Sequence, residues 1–99
     1  MRLTPNQTQI IKQEVANLFG ADAIVRLFDS KTDDRSRGGD IDLIVSAPES
    51  FPDSRQRAVR LTARLQQRLG DQRIDVLVTD TETPEDTVRR EALRTGLPL

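Results

Sequence analysis

Hydrophobic residues recur along the chain at two different spacings, and these spacings predict three helices and three strands. Apolar residues three and four positions apart predict helices over residues 5–19 and 53–69, and a short last helix that ends near Thr95. Short apolar runs rich in Val, Ile and Leu predict strands over residues 23–28, 40–45 and 73–78. The predicted order is α-β-β-α-β-α, in a single domain that spans residues 1–99.

Capping residues mark where the predicted helices begin and end. Thr4 and Gln7 have the spacing of a capping box around Pro5, which suits the first helical position. Thr83 is the expected N-cap of the last helix. The three helical stretches are each followed by a glycine, where a left-handed C-terminal cap is expected: Gly20, Gly70 and Gly96.

The connections between the predicted strands indicate a mixed sheet. The second and third strands are joined through a helix of some four turns, which is long enough for a parallel crossover. The first two strands are joined by a polar loop, which permits an antiparallel pair. The sequence therefore predicts an α/β domain of the α+β type, with helices packed on a small mixed β-sheet.

The composition excludes several kinds of chemistry. The chain has no Cys and no His, so disulfides, zinc fingers, thiol catalysis and Ser-His-Asp triads are excluded. A formal net charge of −1 argues against nucleic acid as a direct partner. No apolar run reaches the ~20 residues of a membrane span, and the N-terminus does not resemble a signal peptide. We expect a soluble cytoplasmic protein.

Three aspartates are the strongest candidates for a functional site. Asp40 and Asp42 lie two residues apart on a predicted strand, so their side chains share one face. Asp75 lies between Ile74 and Val76 on the next strand. If these strands are parallel neighbours, the three carboxylates converge at one end of the sheet, where they could bind one or two Mg²⁺ or Mn²⁺ ions. The structural alternative is a pair of surface aspartates, although Asp is disfavoured within an apolar strand.

The loop before Asp40 is also polar and basic. Lys31, Arg35 and Arg37 could neutralise the charge of a bound triphosphate. The alternative is a solvated loop in which Asp33 and Asp34 balance these cations.

The segment from Val25 to Val45 resembles the signature of the DNA polymerase β-like nucleotidyltransferases. That signature is a Gly-Ser turn, a loop of about ten residues, an Asp-x-Asp pair and a third carboxylate on a later strand. Ser30, Asp40, Asp42 and Asp75 stand at the matching positions. The short length and the C-terminal residues 91–99 resemble the minimal nucleotidyltransferases, which form HEPN/MNT toxin–antitoxin systems.

The resemblance implies a polymerase β-like nucleotidyltransferase fold and a role for each matching residue. Asp40 and Asp42 would bind Mg²⁺ or Mn²⁺, Asp75 would complete the metal site, and Ser30 would hold the triphosphate of ATP, with Lys31 a further candidate for phosphate contact. The implied activity is AMPylation, the transfer of AMP from ATP to a hydroxyl of a HEPN-domain toxin. The implied partner is that toxin, in a hetero-oligomer with this chain as its antitoxin.

One departure from the signature leaves other functions open. Asp29 precedes Ser30, where the family has Gly, so a β-carbon and a negative charge replace a permissive turn residue. This favours weakened nucleotide binding. The first alternative is therefore an antitoxin that neutralises its toxin by direct binding. A further alternative is a subunit of an aminoglycoside- or RNA-modifying transferase, whose acceptor a partner chain would hold.

Two other residue sets have structural as well as functional interpretations. Four arginines of the second helix form a stripe at spacings of three and four: Arg57, Arg60, Arg64 and Arg68. Such a stripe is most often the solvated side of an amphipathic helix. After its first residue, Asp53, that helix has no acidic residue, which favours an acidic partner, or RNA, as the alternative. The three phenylalanines, Phe19, Phe28 and Phe51, are expected in the core.

Overall fold

Three helices and four strands make up the part of the chain that the structure, a computed structural model, describes: residues 3–28 and 41–99. They are α1 (Pro5–Phe19), β1 (Ile24–Phe28), β2 (Ile41–Ser46), α2 (Ser54–Leu69), β3 (Ile74–Thr79), α3 (Thr87–Thr95) and β4 (Leu97–Pro98). The α+β class and the order of the first six elements confirm the prediction. The two-residue strand β4 was not predicted. Within these residues, no helix has the length and apolar character needed to cross a membrane.

The four strands form one mixed sheet in the order β3-β2-β1-β4. β2 and β3 are parallel, with α2 as the connection between them, as the sequence predicted. β1 is antiparallel to both β2 and β4. The long crossover therefore places β2 and β3 side by side, starting from the same end of the sheet.

The main core lies between one face of the sheet and the helices α1 and α2. β2 contributes Ile41, Leu43 and Val45 to this face, and all three are fully buried. The apolar residues whose spacing predicted these two helices face the core. Their fully or almost fully buried members are Ile11, Val15, Leu18 and Phe19 in α1 and Leu61 and Leu65 in α2.

A buried carboxylate joins the two helices of this layer. Glu14 of α1 is 1% exposed. Its Oε1 accepts a hydrogen bond of 2.7 Å from Nε of Arg64, and its Oε2 accepts one of 3.1 Å from Nη1 of Arg68. The hydrogen bond from Arg64 lowers the pKa of Glu14, and this effect outweighs the opposing effect of burial. Two members of the arginine stripe therefore have a counter-charge inside the fold.

The start of α1 is as predicted, but the start of α3 is not. Thr4 and Gln7 form a reciprocal capping box at α1. Thr83 is not the cap of α3: its backbone N–H donates to Oδ1 of Asp80 at 2.7 Å, within a turn. The N-cap is Asp86, whose side chain accepts from the backbone N–H of Arg89 at 2.8 Å. That hydrogen bond lowers the pKa of Asp86. An Asp carboxylate at the N-cap also suits the positive end of the helix dipole.

Gly96 ends α3 through a close approach and not through the predicted left-handed cap. Its φ is −68°, whereas Gly20 and Gly70 have φ of 98°. A β-carbon at Gly96 would lie 2.6 Å from the carbonyl oxygen of Ala92 and 3.0 Å from Cβ of Arg26. The glycine is therefore needed for space where the chain turns from α3 into β4.

Gly96→Ala should lower the free energy of unfolding by about 1–3 kcal/mol, because the added methyl group overlaps a backbone oxygen. Urea unfolding of this variant, compared with Thr95→Ala at the exposed neighbouring position, measures the effect. Equal stability of the two variants would contradict the close approach at Gly96.

Candidate carboxylate site

Asp42 and Asp75 occupy equivalent positions on neighbouring parallel strands. Asp42 is the second residue of β2 and Asp75 is the second residue of β3. The register pairs them directly, and Ile41 with Ile74 before them. Neighbouring strands lie ~4.8 Å apart, and side chains at paired positions share one face of the sheet. Two of the three predicted carboxylates therefore meet at the same end and on the same face.

The apolar residues around these aspartates explain why the carboxylates point away from the main core. Ile41 and Leu43 flank Asp42 and are fully buried beneath α1 and α2. Ile74 is buried and Val76 packs against the same core on either side of Asp75. Because successive side chains of a strand alternate between faces, this burial sends both carboxylates to the opposite face.

Helix α3 covers a different part of the carboxylate face. Ile44 of β2 and Ala92 of α3 are buried there, and Nε of Arg89 donates to the carbonyl oxygen of Val78 at 2.9 Å. These contacts lie further along the strands than the two aspartates. At the aspartate end, Asp75 is exposed and Asp42 is half-buried.

The ion pair at Asp75 is weak. Nε of Arg73 lies 3.6 Å from Oδ2 of Asp75, and both side chains are mostly exposed. Exposed pairs of this kind contribute between 0 and about 1 kcal/mol. A divalent cation could therefore displace Arg73 from the carboxylate at little cost.

Phe28 lies beside Asp42, on the side of β2 away from Asp75, which the sequence did not predict. It is the last residue of β1, and the register pairs it with Asp42. It is half-buried and does not belong to the main core cluster. The expectation that all three phenylalanines are core residues is therefore wrong for Phe28. Phe19 and Phe51 do pack together, with ring centroids 5.9 Å apart in an edge-to-face arrangement. An antiparallel pairing of β1 with β2, which the sequence permitted, is the signal that could have placed Phe28 next to Asp42.

The other predicted site residues lie outside the described residues. They are Asp40, Ser30 and Lys31, together with Asp29, Arg35 and Arg37 of the same segment. Among residues 3–28 and 41–99, no group of three carboxylates could hold a metal ion. The predicted group needs Asp40, so its third member falls outside this search.

The donors at the site suit a hard divalent cation. Carboxylate oxygens are the ligands that Mg²⁺ and Mn²⁺ prefer, and the chain has no His or Cys to favour softer metals. The paired, solvent-accessible positions of Asp42 and Asp75 fit this requirement. The binding of a metal by these residues remains a prediction.

No protein-family model matches the chain, and no curated protein is significantly similar to it.

Proposed function

We propose that this protein is a nucleotidyltransferase that moves AMP from ATP to a hydroxyl group of a partner protein. The observation that carries the proposal is the register of β2 and β3, which pairs Asp42 with Asp75 on one accessible face. Like charges on adjacent positions repel each other, so a site that keeps both carboxylates is suited to a cation between them. The signature that includes Asp40 and Ser30 supplies the reaction class.

In this proposal the metal ligands are Asp40, Asp42 and Asp75. Bound Mg²⁺ would neutralise charge on the triphosphate and on the departing pyrophosphate. Ser30 and Lys31 would contact the triphosphate, where hydroxyl and ammonium groups can donate hydrogen bonds to phosphate oxygens. The protein would act mainly by positioning its substrates and by electrostatics.

The proposed reaction is a substitution at the α-phosphorus of ATP. The oxygen of the acceptor hydroxyl forms a bond to the α-phosphorus. The bond between the α-phosphorus and the oxygen that bridges the α- and β-phosphates breaks. Pyrophosphate leaves, and the hydroxyl proton passes to the Asp75 carboxylate or to water. Asp75 is exposed, so a hydroxyl on another protein can reach it without any opening of the fold.

The proposed acceptor is a HEPN-domain toxin, an RNase that AMPylation would silence. This part of the proposal is supported by the resemblance to minimal nucleotidyltransferases. It makes the chain an antitoxin that works in a hetero-oligomer with its target.

The proposal is tested with ATP labelled at the α-phosphate, Mg²⁺ and the protein encoded by the neighbouring gene. We expect label on the partner protein and release of pyrophosphate. ATP labelled at the γ-phosphate is the control and should leave the partner unlabelled. No transfer of the α-label, or equal transfer in EDTA, would contradict the proposed metal-dependent activity.

Asp29 supports a second candidate, an antitoxin that neutralises its toxin by stoichiometric binding. A carboxylate ~4 Å from a phosphate oxygen costs on the order of 4 kcal/mol per charge pair at an effective dielectric constant of ~20. Neutralisation that survives replacement of Asp40, Asp42 and Asp75 together would favour this candidate.

Asp29→Gly should raise the affinity for ATP at least about tenfold, because it removes both the charge and the β-carbon from the turn. Calorimetric titration with Mg²⁺-ATP measures the change. Asp22→Gly is the control, since Asp22 precedes β1 and lies outside the proposed site. If Asp29→Gly binds ATP no better than the native chain, Asp29 does not weaken the site.

A further inference from the structure

The charges of the chain are divided unevenly between the helix layer and the rest of the fold. Together, α1 and α2 contain six basic residues and one acidic residue, a formal charge of +5 in a chain whose total is −1. α2 itself has five arginines and no acidic residue. This layer lies on the face of the sheet opposite Asp42 and Asp75.

The fold supplies partners for the arginines of α2 that flank the core. Arg64 and Arg68 bind Glu14. Arg57 pairs with Asp53 at 2.8 Å, donates to the carbonyl oxygen of Leu18 at 2.6 Å and packs over the ring of Phe51. Three of the four arginines in the predicted stripe therefore form ion pairs within the fold.

Two arginines of α2 form no ion pair within residues 3–28 and 41–99: Arg55 and Arg60. The hydrogen bond from Arg57 is the main cause of the lowered pKa of Asp53, and Arg60 adds a smaller, longer-range contribution. Both Arg55 and Arg60 are exposed. Their cationic groups are therefore available to a binding partner.

An exposed apolar residue lies between them on the outer surface of the helix. Val59 is 65% exposed, and Ala63, one turn further along, is exposed as well. Arg55 is one turn before Val59, and Arg60 follows it. An apolar centre with arginines around it is typical of the surfaces that bind other proteins.

We propose that the outer face of α2, formed by Arg55, Val59, Arg60 and Ala63, binds an acidic protein surface that contributes an apolar side chain opposite Val59. A protein fits this face better than RNA does. The aromatic residues of the layer, Phe19 and Phe51, pack against each other, so they do not form a stacking platform for bases. The face lies across the sheet from the carboxylate site, so this binding is separate from the proposed catalysis.

The test uses an acidic amphipathic peptide as the probe, with leucines and glutamates at helical spacing. Titrated into the ¹⁵N-labelled protein, it should shift the amide resonances of Gln56, Val59, Arg60 and Ala63. Val59→Asp and the double variant Arg55→Glu, Arg60→Glu should each weaken binding about tenfold or more. The matched controls on α3 are Val88→Asp, where Val88 is 58% exposed, and Arg90→Glu at another exposed arginine. These controls should change the affinity less than twofold.

Several outcomes would overturn the proposal. The peptide could fail to bind, or its binding could shift resonances of α3 or of the carboxylate face instead. The α2 and α3 variants could lose equal affinity for the peptide. Single-stranded RNA could bind at this face in preference to the peptide. Circular dichroism of each variant checks that it is folded. Binding of Mn²⁺ to the carboxylate site should be unchanged in the α2 variants, so the two proposals can fail separately.

Discussion

Asp42→Asn and Asp75→Asn should each reduce transfer of AMP by about 10²–10⁴-fold, with the protein still folded. Each substitution keeps the size of the side chain and removes the negative charge with which the carboxylate would attract a divalent cation. A bound metal supplies several kcal/mol of transition-state stabilisation, and each 1.36 kcal/mol changes the rate tenfold. We expect both losses to be large, because the proposed site uses both of the paired carboxylates as metal ligands.

The same variants should lose affinity for Mn²⁺, measured by electron paramagnetic resonance without any substrate. Asp71→Asn is the matched control, because Asp71 is an exposed aspartate just before β3 and lies outside the proposed site. Unfolding in urea should show small stability changes for all three variants. Native rates of transfer in both Asp42→Asn and Asp75→Asn would overturn the assignment of these residues.

The sheet could be predicted from the sequence because its signals are local. Ile41, Leu43 and Val45 occupy alternate positions of β2 and face the main core, and this spacing decides which face Asp42 takes. The length of α2 permits a parallel connection between β2 and β3, and the structure has them parallel. Together, the pattern and the connection bring Asp42 and Asp75 to one end of the sheet, and the structure has them in register.

The features that could not be predicted depend on tertiary contacts. The counter-charge of Arg64 is Glu14, fifty positions away in the sequence. Glu14 stands beside Val15 on the buried side of α1, where a carboxylate is unexpected unless it is paired. The strand β4 has two residues and exists because the chain after Gly96 passes close to β1. Neither feature has a local pattern that identifies it.

The start of α3 shows a competition between two local signals. Both Thr83 and Asp86 are good N-cap residues. The amide of Thr83 is held by Asp80, which leaves Asp86 to begin the helix. The sequence predicted Thr83 as the cap, and the turn at Asp80 is the reason that the helix begins after Asp86 instead.

Replacing both Arg64 and Arg68 by Met should lower the free energy of unfolding by about 3–5 kcal/mol at pH 7. The double variant leaves the Glu14 carboxylate buried without its two charged partners, which is the costly way to break a buried ion pair. Glu14→Gln should cost less, about 1–2 kcal/mol, because the arginine side chains that it leaves are 52% and 39% exposed and remain hydrated. Urea unfolding measures both. The control is Arg55→Met with Arg60→Met, which removes two arginines that have no ion pair within the described residues and should change stability by about 0.5 kcal/mol or less.

The pH dependence of the free energy of unfolding shows whether these variants lose stability because a charge is buried or because packing is lost. In the native chain the pKa of Glu14 is lowered by Arg64, so its contribution to stability is present above its ordinary pKa of 4.5 and is lost as the pH falls through the lowered value. Without the arginines, burial raises the pKa of Glu14, so stability should increase as the pH falls from 7 through that raised pKa towards 4.5. The difference in free energy of unfolding between the native chain and the double variant should therefore shrink over this range.

A triple variant, Glu14→Met with Arg64→Met and Arg68→Met, removes the buried charge as well and should recover most of the stability at pH 7. Two results together would contradict a role for the charge of Glu14: the double variant loses the same stability at pH 7 and at pH 4.5, and the third substitution restores none of it. The arginines would then act through packing.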